Sequence, residues 1–270
     1  MGMFHQSIAS FQSDTAGIVA QELHEELELY GDMLDLILSG AGQSPLATAS
    51  VDGEVKSAIL MLIARAVNDF EACRHLITRG LAEQLYIPLR DAVECAGLIV
   101  LFLVNDDRAL RWMSDLRQYE PGSVRALLRE QGFDFPEYAL YSALSNLAHC
   151  NLLGAVTQVS EHQFGADTVS RVYRFGGYRN LPWLRLEMCL LLGCMWLMLR
   201  GSLAQAVKSF EGDFSGWWER VVALRGRLLA LGVNWTEEPP DGPTVSESRV
   251  SVELRLFDFG LLDRNLGIIP

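Results

Sequence analysis

Lysine is almost missing from this chain. Lys56 and Lys208 are joined only by arginines scattered from end to end. The formal net charge is −12 and no run of cations occurs. A nucleic-acid binder rests on a basic face, so DNA is not expected as a partner. Cysteine is scarce as well, with 5 residues at 73, 95, 150, 189 and 194. The number is odd and each lies in an apolar helical pattern. They read as small buried hydrophobes in a reducing compartment, not as a disulfide framework.

Long hydrophobic runs are lacking too. Cys95–Val104 and Met188–Leu199 are the two strongest, and each falls short of the roughly 20 residues a membrane span needs. The uncharged interval 138–160 is long enough, but Ser142, Ser145, Asn146, His149, Asn151 and Gln158 make it too polar for lipid. MGMFHQSIASF shows no basic start before an apolar run, so no signal peptide is read. The expectation is a cytoplasmic protein with no membrane partner.

Several catalytic signatures are missing. HEELE at 24–28 opens like a zinc-protease helix, yet Glu28 stands where a second histidine is required. No Glu-x-x-His pair and no C-x-x-C occur, and P-loop, GxGxxG and GxSxG patterns are absent. Neither a metal nor a cofactor is expected. FGGY at 175–178 reads as a turn, and Trp183, Trp217 and Trp218 read as packing residues.

What is present is helix. Half of the residues are apolar, and a chain of this length buries roughly three quarters of its unfolded surface. Residues 15–38 repeat Val19, Leu23, Leu27, Tyr30, Leu34 and Leu38 against an acidic face. Residues 39–53 read as a loop. A second helix, 55–79, carries the stripe Ile59, Ile63, Ala66, Phe70, Cys73 and Ile77 and closes at Gly80. A third, 81–104, contains Pro88, which kinks it or resets its start. Shorter helices follow at 107–119 and 121–131, then 136–159, an apolar central helix at 182–200, and one or two more over 202–231. The first half of 168–180 alternates like a strand, and so does 249–259. The prediction is an all-α bundle of about seven or eight helices with a short strand-like C-terminal tail. Residues 1–233 form the bundle, with its core in 55–232. Residues 234–270 form an acidic, proline-rich linker and the tail, which pairs with 169–175 or with another chain.

LSNLAHCNL, 144–152, lies within the charge-free interval and still carries a line of polar groups. On a helix, Tyr138, Ser142, Ser145, Asn146 and His149 share an arc of about 100°. Buried polar groups need partners. On the third helix Arg90 and Glu94 are four apart at the edge of an apolar run, and Arg65 and Asp69 repeat that spacing on the second. Two outcomes fit. Either His149, Arg90 and Glu94 line a catalytic pocket, with His149 as acid or base, or Ser145, Asn146, Tyr141, Arg65 and Asp69 join them in a network that fixes helix register.

The ordered segments ARAVNDFEACRHLITRGLAEQLYIPLRDAVECAGLIVLFL, DDRALRWM and YSALSNLAHCN resemble a group of uncharacterised bacterial helical proteins. The group shares an Arg-x-x-x-Glu and a later Leu-Ser-x-x-x-His, matched here by Arg90, Glu94, Ser145 and His149. It is distantly similar in helical layout to HEPN domains, some of which are ribonucleases in toxin and phage-defence systems. The nuclease signature of those domains is an arginine separated from a histidine by four to six residues. Residues 142–144, where it would precede His149, are Ser, Ala and Leu. The resemblance therefore implies a non-catalytic protein of bacterial stress or phage defence that acts through protein contacts. A protein partner or self-association through 249–260 is expected. The alternative is a HEPN-like ribonuclease or other hydrolase using His149, Arg90 and Glu94, and only then is RNA a partner.

Overall fold

The computed structural model describes residues 3–43, 52–114, 121–130, 141, 144–145, 159–163, 169–173, 181–209, 214–232, 236–238 and 249–251. Among them the fold is an all-α bundle. Its helices are α1 (Met3–Glu22), α2 (His24–Gln43), α3 (Asp52–Thr78), α4 (Tyr86–Val104), α5 (Asp106–Ser114) and α6 (Pro121–Glu130). α7 begins as Leu181–Leu197, widens to a π-helix over Met198–Leu203 and continues through Ala204–Ser209, and α8 is Phe214–Ala230.

The helix predicted over 15–38 is two helices meeting at Leu23. Leu23 accepts from Leu27 and donates to Val19, each at 3.0 Å. Past the break the buried face departs from the predicted stripe: Val19, Leu23 and Tyr30 are buried, but Leu27 and Leu34 only partly, and Leu38 is 49% exposed, while Leu29, Met33, Leu36 and Ile37 take the core positions. α2 then runs on to Gln43, into the segment predicted as loop.

α3 buries the stripe expected of it: Ile59, Ala66, Phe70, Cys73 and Ile77 are at most 1% exposed. Gly80 ends it with φ of 69°. Its N–H donates to Ile77 O at 3.0 Å, and Leu81 N–H donates to Leu76 O at 2.8 Å. This double closure needs a left-handed residue, which glycine adopts without steric cost. It turns the chain so that α4 packs back along α3. Pro88 falls in the first turn of α4, after a short 3-10 turn at Ala82–Leu85. The missing N–H costs nothing there, so Pro88 resets the helix start and no interior kink is required.

From Cys95 to Phe102 every residue of α4 is buried, and α7 is buried from Met188 to Leu199. These helices form the centre of the core, with α2 and α3 against them. Where α7 widens, Ser202 turns inward and its hydroxyl donates to Ala96 O on α4 at 2.8 Å. Among the described residues, Leu184–Leu203 is one helix long and apolar enough to cross a membrane, and 83% of that window is buried inside the bundle.

Two short antiparallel hairpins accompany the helices. β1 (Val159–Gln163) pairs with β2 (Val169–Tyr173), with Glu161 opposite Arg171. The end of the helix predicted over 136–159 is thus corrected at Val159, which is in a strand. Val159 is β-branched and suits a pleated ladder. β3 (Thr236–Glu238) pairs with β4 (Arg249–Ser251). The expected strand at 249 is present over these residues. Its partner is the segment read as linker, and not 169–175.

Candidate functional site

The turn at Gly80 fixes the register between α3 and α4, and the register decides which charges meet. Arg65 on α3 donates to Asp91 Oδ2 on α4 at 3.1 Å. Arg90 Nη2 lies 3.5 Å from Asp91 Oδ1. One carboxylate thus serves two guanidinium groups from two helices. The spacing of four between Arg90 and Glu94 suggests a direct pair, but Arg90 turns to its neighbour Asp91 and Glu94 is hydrogen-bonded to Tyr141. Asp91 was hidden from periodicity, because its main partner is 26 residues away and appears only once the hairpin register is known.

Burial sets the electrostatics. Asp69, one turn after Arg65, is half-buried. Desolvation, with Asp91 nearby, pushes its carboxyl up to about 6 against the pull of Arg65. Desolvation also raises Glu94, and the hydrogen bond from Tyr141 opposes this only in part. Tyr141 in turn is pushed up to about 12 by burial and by Glu94. Asp69 Oδ2, Glu94 Oε1 and Arg90 Nε are buried atoms with no hydrogen-bond partner among the described residues. Buried polar atoms are normally satisfied, so these two carboxylate oxygens and one guanidinium nitrogen mark the cluster as polar and incompletely compensated.

Of the sequence-predicted residues, Arg65, Asp69, Arg90, Glu94 and Tyr141 are thus brought together at the α3–α4 seam. Ser145 is helical and half-exposed, beside the fully buried Leu144. Asn146 and His149 lie outside the described residues.

Three further charged contacts escaped the sequence pattern, one of them the pair of Arg227 on α8 with Asp32 on α2. Arg185 on α7 donates to Glu26 on α2 at 2.7 Å and to Glu22 O at 2.9 Å. On the far side of α3, Glu71 accepts from Tyr30 at 2.8 Å and from Arg74 at 2.8 Å, with His75 Nε2 at 3.8 Å. Arg74 holds the Glu71 carboxyl below its usual range. No group of three or more His, Cys, Asp or Glu placed to hold a metal ion occurs among the described residues. Cys73, Cys95, Cys189 and Cys194 are buried free thiols. Burial pushes Cys95 up to about 12 and Cys189 up to about 11, which makes them poor nucleophiles.

No family model matches the chain, and neither a curated protein nor a solved structure matches it.

Proposed function

We propose that this chain is a non-catalytic helical protein of the cytoplasm that works through contacts with other proteins, in bacterial stress or phage defence. The observation that carries the reading is the engagement of the seam. Both guanidinium groups that an anionic substrate would need turn to Asp91, and Glu94 is bound to Tyr141. The polar groups join α3, α4 and the helical residue at 141, which is the work of a register-fixing network. The chain's acidic charge favours protein partners over RNA.

A second reading, a HEPN-like ribonuclease or another hydrolase, draws on one specific feature. Asp69 and Glu94 are both raised and each keeps a buried oxygen without a described partner. Carboxyls tuned toward neutrality suit proton transfer, and His149 would complete the constellation.

Expression of the full chain and of His149→Ala in growing bacteria separates the readings. The expected result is equal growth for both, with no cleavage of added RNA by either purified protein. Growth arrest that His149→Ala abolishes, in a protein whose circular dichroism is unchanged, would overturn the non-catalytic reading.

A further inference from the structure

We draw no further inference here: the strongest candidate, the partly exposed apolar flank of α2 at Leu27, Leu34 and Leu38, carries none because nothing in the structure shows what covers it.

Discussion

Arg65 on α3 and Asp91 on α4 meet at 3.1 Å, 26 residues apart in sequence. Their meeting depends on the left-handed turn at Gly80, which sets how far α4 slides along α3. Arg90 shares the same carboxylate, so Asp91 is the hub and its two partners are not equivalent to it.

Removal of the hub should therefore cost more than removal of a spoke. Arg65 is 63% exposed, and an exposed pair contributes about 0.5 kcal/mol. Asp91→Ala strands both guanidiniums, including an Arg90 whose Nε is buried and unpartnered. It should cost about 1–2 kcal/mol. Urea unfolding of the two single variants checks the order. Equal losses would mean that Asp91 has no role beyond its contact with Arg65.

A stronger effect is expected between α2 and α7. The Glu26 side chain is only 3% exposed and accepts from Arg185 at 2.7 Å, whereas Arg185 is 49% exposed. Arg185→Ala leaves a buried carboxylate without its cation. The half-exposed partner moderates the penalty, to about 2 kcal/mol. Changing both residues to leucine should recover much of that loss, because the stranded charge is gone. A double variant less stable than Arg185→Ala would contradict this account.

Much of the helical layout was legible because periodicity reports burial directly. Ile59, Ala66, Phe70, Cys73 and Ile77 recur at helical spacing, and all lie in the core. Gly80 and Pro88 were legible as punctuation, since each acts through its own backbone. The site was legible in part. Arg65, Asp69, Arg90 and Glu94 stood out as polar residues beside apolar stripes, but which charge meets which depends on the slide and rotation of two helices. That is why Asp91 escaped and why Arg90 and Glu94 looked like a pair. Glu26 and Arg185 are 159 positions apart, and no local pattern links them. The break at Leu23 was hidden for the opposite reason: the apolar repeat of the sequence passes through it, although the buried face beyond moves to Leu29, Met33, Leu36 and Ile37.

Gly40 should not tolerate a side chain. A Cβ there would lie 2.9 Å from Trp217 Nε1 and 3.0 Å from Leu203 Cδ2. The same indole nitrogen donates to Leu36 O at 3.0 Å inside the core, so the ring cannot retreat without losing that bond. Gly40→Ala should cost about 2 kcal/mol in spite of alanine's better helix propensity. In a Trp217→Phe background the same change should cost clearly less, because the smaller ring leaves room and has no bond to break. Additive losses in a thermal-denaturation cycle would remove the clash as the cause.

Acid should first strengthen the protein and then weaken it. Asp69 stands at about 6 in the folded chain, above its ordinary 3.8. A raised carboxyl binds its proton more readily when folded, so its charge is a burden above about pH 6, and the burden fades between about 6 and 4. Glu71 is shifted the other way by Arg74 and Tyr30. Its contribution is present above the ordinary carboxylate range and is lost as pH falls through its lowered value. Between pH 7.5 and 5 the Asp69 effect should dominate, and the melting temperature should rise on acidification. Asp69→Asn should be more stable than the parent chain at pH 7.5 and should show a flatter rise. Glu71→Gln should keep the rise and lose stability at pH 7.5. If Asp69→Asn and the parent chain melt with the same pH slope, the carboxyl is not held above its ordinary value by burial and Asp91, and the seam is wetter than its geometry implies.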